Sequence, residues 1–140
     1  PGYPLAFGRF GSGAQAGPLV FGLPGNPVSA TVCFDLFVRP SLLKMMGRTN
    51  CFRSVVRVRL AETLRKKPGR LHFVRVELEK TGDGWEARST GNQSSGVLSS
   101  LARASGLLVF PEEAEELAAG AAAVVQLVAD DIYSESKLGF

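Results

Sequence analysis

The chain has 140 residues, 45% of them hydrophobic and 21% charged, with a formal net charge of +3. That length makes one ordinary domain or two small ones. The charged fraction is too low for a disordered polyelectrolyte, and no apolar run approaches the roughly 18 residues a membrane-spanning helix needs.

The chain opens at Pro1 without a methionine, a basic leader or an apolar signal core, and enters a strand-like run almost at once; the expectation is a piece of a longer protein. Pro18 to Gly22 is a short apolar run ended by glycine, the pattern of a buried strand. From Val28 the period changes: Val28, Val32, Leu36 and Leu43 recur at helical spacing, with Phe34, Phe37 and Met46 widening the stripe, which predicts a core-facing helix. Asn26 followed by Pro27 is its start signal, a side chain to cap the first turn and then a ring already at helical φ. Pro40 falls inside the pattern and should kink it, and Gly47 should stop it.

Residues 48 to 53 show neither period and are expected to be a linker. Beyond it Val56, Val58 and Leu60 alternate with Arg57 and Arg59, the signature of a half-buried strand. A second strand is expected over Leu71 to Lys80, with His72, Val74, Val76 and Leu78 on the apolar face and Phe73, Arg75, Glu77 and Glu79 on the other. His72 is therefore expected to be packed in the core. Thr81 to Gly84 (TGDG) is a hairpin signal and Trp85 to Thr90 the returning strand. The apolar runs Leu107 to Phe110 and Val124 to Val128 complete a set of about five strands, matching small barrels and sandwiches. The fold class expected is thus an α/β piece, strand, loop and helix, followed by a small all-β barrel. Its divisions are 1–47, a linker 48–53, the barrel 54–129 and a tail 130–140.

The charge is unevenly placed. Between Arg39 and Arg75 stand eleven Lys or Arg residues and one acid, Glu62, whereas four of the five residues Glu112 to Glu116 are glutamates. A basic middle points to an anionic partner. Cys33 and Cys51 have no spacing of a disulfide scaffold or metal knuckle, so the default compartment is a reducing cytoplasm. Asn92, Gln93 and Ser94 match a glycosylation acceptor, a match expected to be chance because the sequence shows no secretory signal.

The segment Phe21 to Ser29, FGLPGNPVS, sets two prolines and two glycines between the strand and the helix. A strand, a glycine-containing loop and a helix start can hold an oxyanion, because the first helical amides lack intrahelical partners and carry the positive end of the dipole. It is neither the dinucleotide fingerprint nor a phosphate loop. Pattern alone leaves a stiff turn with an Asn cap as the plainer alternative.

Four stretches together, LAFGRF, VFGLPGNPVSATVCFDLFVRPSLLKMMG, RKKPGRLHFVRVEL and STGNQSSGVLSSLARASGLLVF, resemble the C-terminal part of the molybdopterin molybdotransferases, the family that includes the E domain of gephyrin. The resemblance covers nearly the whole chain in the family's order, with GLPGNPVS its most specific element. It implies that the piece up to about residue 47 ends an α/β domain of the molybdopterin-binding type and that the rest is a separate β-barrel. It also implies an enzyme working as a homodimer on adenylylated molybdopterin and molybdate, with magnesium or a similar cation.

By position, Pro24 and Pro27 match loop prolines that shape the family's active-site cleft, with Gly25 and Asn26 between them and Ser29 just after. Arg75 matches an arginine of the β domain facing the cleft and Ser95 a serine in the same region. The plainer readings stand beside these: a rigid turn for the prolines, a solvated strand residue paired with Glu77 or Glu79 for Arg75, and local backbone bonding for Ser95. Lys66, Lys67 and Arg70 surround a Pro-Gly turn; Lys66 and Arg70 either draw in the anionic pterin or are simply solvated. The chain departs from the family at Tyr3, where members often carry a basic residue. The family's metal-binding acids are expected upstream of Pro1, so no metal ligand is assigned here. On its own the piece should be inactive. A different reading makes residues 54 to 129 a basic module for single-stranded nucleic acid, though it offers few aromatic rings among its charges; a third is a protein scaffold.

Overall fold

The computed structural model describes residues 5–11, 17–91, 93 and 98–128; Ser95 and the expected tail at 130–140 lie outside the described residues. The chain divides between Phe52 and Arg53 into two compact units.

In the first unit β1 (Ala6–Arg9) and β2 (Leu19–Gly22) form an antiparallel two-stranded ribbon in which Phe7 faces Phe21. The two rings sit 4.9 Å apart, centroid to centroid. The helix that follows has three parts: α1 (Pro27–Cys33), a π-helical turn over Phe34–Val38, and α2 (Arg39–Met45). The expected kink at Pro40 takes this form. Proline cannot donate to the carbonyl four residues back, and the Arg39 N–H reaches back five residues to Phe34 O, widening the turn ahead of the ring. Gly47 ends the helix at φ +78, its N–H bonded to Lys44 O at 3.0 Å. The apolar stripe is narrower than its spacing predicts: Val28 is buried and Val32, Leu36 and Leu43 are half-buried, but Phe34, Phe37 and Met46 are exposed. The Arg39 guanidinium ties the helix to Cys51 O at 3.2 Å.

The second unit is a closed five-stranded barrel of β3 (Val55–Leu60), β5 (His72–Thr81), β6 (Gly84–Ser89), β7 (Gly106–Phe110) and β9 (Ala122–Leu127). Around the barrel the order is β3, β6, β5, β7, β9, with β9 returning to β3. Every contact is antiparallel except β3 with β6, which run parallel through Arg59 opposite Glu86 and Leu60 opposite Ala87. Alternation decides what points inward. Val56, Val58 and Leu60 of β3 enter the core while Arg57 and Arg59 stay exposed. With them pack Val76, Ala87, Leu108, Phe110, Val125 and Leu127, each large side chain contributing about 1.5–3 kcal/mol relative to exposure. A short ribbon of β4 (Leu64–Arg65) and β8 (Glu116–Leu117) lies outside the barrel.

Two expectations need correction. The second unit is not all β: α3 (Leu98–Arg103) packs against β5. His72 is exposed, because it starts β5 at the barrel rim, and only Val74, Val76 and Leu78 further along the same face reach the core.

Candidate functional site

The candidate residues fall into one group in the first unit and two in the second. Pro24, Gly25, Asn26 and Pro27 lie consecutively between β2 and the first residue of α1, with Ser29 two residues further on. Asn26 holds extended backbone at φ −76, ψ 124, and its Oδ1 accepts from Val28 N at 3.1 Å and Ser29 N at 3.3 Å. The cap expected at Asn26 is therefore formed, and it takes the amides an anion would have used. Gly25 is different. Its φ is outside the left-handed region, and a Cβ added there would meet no atom within 4 Å. Among the described residues nothing in the backbone or packing calls for glycine at that position. Nearby, burial raises the Cys33 thiol above its usual pKa, which keeps it protonated and a poor nucleophile.

Lys66 and Arg70 flank the Pro-Gly turn that follows β4. Gly69 there has φ +93, and its N–H and the Lys66 ammonium both reach the carbonyl of Glu112, at 3.1 Å and 2.9 Å. Lys66 Nζ also lies 5.1 Å from the centre of the Phe110 ring, so this lysine is held against the barrel. Arg70 is exposed. Arg65 and Glu116 meet at 2.6 Å on the same ribbon, an exposed pair that adds little stability.

Arg75 sits elsewhere, in the middle of β5 opposite Leu107 of β7. It belongs to the face away from the barrel core, as its position in the alternation requires, yet is only 5% exposed. Thr90, Ser100, Ala104 and Leu107 are buried as well without belonging to the barrel core, and α3 packs against β5. The solvated alternative for Arg75 is thereby corrected: α3 was not foreseen, and it covers a strand face that would otherwise be wet. Burial lowers the guanidinium pKa from the ordinary arginine value, but arginine keeps its charge at neutral pH. Glu77, on the same face, is engaged with Arg103 at 3.7 Å, and Arg103 also donates to Thr90 O at 2.8 Å.

The backbone of Arg75 is held from the side that β6 leaves open. The β5–β6 ladder runs from Thr81 opposite Gly84 to Val76 opposite Ser89, and Thr90 adds two bonds to Arg75 O, from its N–H at 3.1 Å and its hydroxyl at 3.3 Å. Gln93 then bonds both backbone groups: Arg75 N–H donates to its Oε1 at 2.9 Å, and its Nε2 donates to Arg75 O at 3.0 Å. Sequence reading did not single out Gln93 for this. A side chain standing in for a strand leaves no period, and the available signal was only a glutamine just past a hairpin strand.

Among the described residues no group of three or more His, Cys, Asp or Glu side chains converges as a metal site. The described residues therefore do not fit a divalent cation. Among the described residues no helix is long and apolar enough to cross a membrane.

The sequence profile of the MoeA C-terminal region (domain IV) matches residues 57–128. The chain belongs to the MoeA family. The matched span begins inside β3 and runs past the end of β9, so the MoeA region coincides with the closed barrel. "Molybdopterin molybdenumtransferase 2" of Mycobacterium tuberculosis is 38% identical over 120 residues, which is 86% of this chain and 28% of that protein. "Molybdopterin molybdenumtransferase" of Staphylococcus epidermidis is 27% identical over 122 residues, 87% of this chain and 29% of that protein. The crystal structure of the molybdopterin biosynthesis moeA protein of Pyrococcus horikoshii OT3 superimposes with a TM-score of 0.66 at 33% identity, covering 77% of this chain and 27% of that one. This MoeA chain thus spans little more than a quarter of the length of these three relatives.

Proposed function

We propose that this chain is the C-terminal part of a molybdopterin molybdotransferase, which inserts molybdenum from molybdate into adenylylated molybdopterin in the last step of molybdenum cofactor synthesis. The observation that carries the reading is the MoeA match over residues 57–128, from inside β3 to past the end of β9. In this proposal residues 1–47 close an α/β domain of the molybdopterin-binding type, and the full-length enzyme is a cytoplasmic homodimer. In this reading the cation and the carboxylates that hydrolyse the adenylate belong to the rest of the full-length enzyme, so this piece alone is inactive.

The chain's own residues bind and orient. Pro24 and Pro27 stiffen the loop, and the open space above Gly25 lets a ligand approach the backbone closely. Asn26 keeps the helix start in shape, and Ser29 lies beside it in the first turn. Arg75, charged and buried, contributes positive potential where screening by water is weak, which favours a phosphate or molybdate oxyanion. Ser95 and the exposed Arg70 contribute to binding the pterin, with Lys66 fixing the turn that carries Arg70.

The nucleic-acid alternative needs exposed rings among the cations. Among described residues 53–128 Phe73 and Trp85 are half-buried and Phe110 is buried, so no stacking row accompanies the exposed Arg57 and Arg59.

The test is molybdate insertion by the full-length protein carrying Arg75→Ala or Pro24→Ala. Losing a charged contact worth about 1.5–3 kcal/mol should lower kcat/KM for Arg75→Ala about ten-fold or more. Unchanged turnover and pterin affinity in both variants would remove these residues from the site.

A further inference from the structure

Arg75 points both its N–H and its C=O toward the β6 side of β5, while the next residue turns the other way: Val76 O accepts from Ser105 N at 2.8 Å on the β7 side. That alternation is what an antiparallel strand imposes. Beyond Ser89, however, β6 has ended, and Thr90 donates to Arg75 O with both its N–H and its hydroxyl, at 3.1 Å and 3.3 Å, while Arg75 N–H donates to Gln93 rather than to a strand carbonyl. The Gln93 amide fills this position as a peptide group would, accepting with Oε1 and donating with Nε2.

The orientation of that amide is fixed by its surroundings. Besides Arg75 O, the Nε2 faces Ser89 Oγ at 3.1 Å, Thr90 Oγ1 at 3.3 Å and Gly91 O at 3.4 Å. All are oxygens able to accept, so only the nitrogen fits there, and Oε1 is turned to the Arg75 N–H. The contact is also specific in length. Glutamate would keep the acceptor but lose the donor and set a negative charge among those oxygens, and alanine would leave both Arg75 groups without this partner.

We propose that Gln93 is the positioning residue for Arg75: it acts as a one-residue substitute for the missing strand and fixes the backbone from which the guanidinium projects. The inference rests on the reading of Arg75 as part of the site. Gln93 is exposed and contributes no core surface, so its effect on the reaction passes through Arg75.

The experiment compares Gln93→Ala, Arg75→Ala and the double variant in the full-length protein, with amide hydrogen exchange at Arg75 and Val76 as a second readout. Gln93→Ala should speed exchange at the Arg75 N–H while leaving Val76 protected. It should lower kcat/KM for molybdate insertion about ten- to a hundred-fold, the usual result of misplacing a site residue by a fraction of an ångström to 1 Å. The double variant should be no worse than Arg75→Ala alone. Multiplying effects, or a normal Gln93→Ala beside an impaired Arg75→Ala, would overturn the positioning role. An unimpaired Arg75→Ala would instead overturn the reading of Arg75 itself, with the exchange data still showing whether Gln93 holds the strand. Should Gln93→Ala fail to fold, Gln93→Glu, which keeps the acceptor for the Arg75 N–H, carries the same comparison.

Discussion

Gly25 and Asn26 are neighbours with separable roles. The Asn26 oxygen closes two amides of the first helical turn, so Asn26→Ala should cost about 1 kcal/mol of stability, read as a lowered denaturation midpoint at unchanged slope. At Gly25 a methyl group meets nothing and the backbone is not left-handed. Gly25→Ala should therefore leave stability within about 0.5 kcal/mol, or raise it slightly by restricting the unfolded chain, while weakening pterin binding in the full-length enzyme. A variant with both properties intact would show that the space is incidental. At this scale the cap at Asn26 was legible, because an Asn-Pro pair ahead of a helical period has one common use. The burial of Arg75 was not, since it comes from a helix whose six residues follow a Ser-rich stretch that suggests only a loop.

Among the elements, the five barrel strands were legible to within one or two residues, because each sets apolar alternation or a short apolar run against flanking turn signals. The barrel strands start or end a residue away from expectation where the cue was a side chain and the ladder includes its glycine, as at Gly84 and Gly106. The pieces missed are β4, β8 and α3, two or six residues long, too short to show a period. The π turn was legible only as a kink, since proline forbids the regular bond without saying which irregular one replaces it. Gly106 shows an element held by absence of a side chain. An added Cβ would overlap Val125 Cγ1 and lie 2.8 Å from Gln126 O of β9. Gly106→Ala should therefore force β7 and β9 apart at a cost of about 1–3 kcal/mol, visible as a lower melting temperature of the barrel. Wild-type melting would mean that the two strands separate freely there.

At the scale of the molecule the two units differ in how they are held. The barrel closes its own hydrogen-bond edges and encloses its own core. Residues 53–140 produced alone should unfold in one cooperative transition. Residues 1–52, with a two-stranded ribbon and Phe7 and Phe10 exposed, should not, because an isolated two-stranded ribbon is marginal and a unit of that size buries too little. Equal melting of the two pieces would contradict this division. The family was legible from four motifs in order, and the profile match places it on the barrel. How the motifs work was less so, since Gln93 and α3 act through backbone bonds and coverage that no motif records.

The central claim is that this chain completes a molybdenum-inserting enzyme. Its most direct measurement is molybdenum bound per pterin after the full-length protein, with and without residues 53–140, is given adenylylated molybdopterin and molybdate. The account predicts insertion by the intact protein and none without the barrel. Undiminished insertion in its absence, or no insertion by the intact protein, would contradict it.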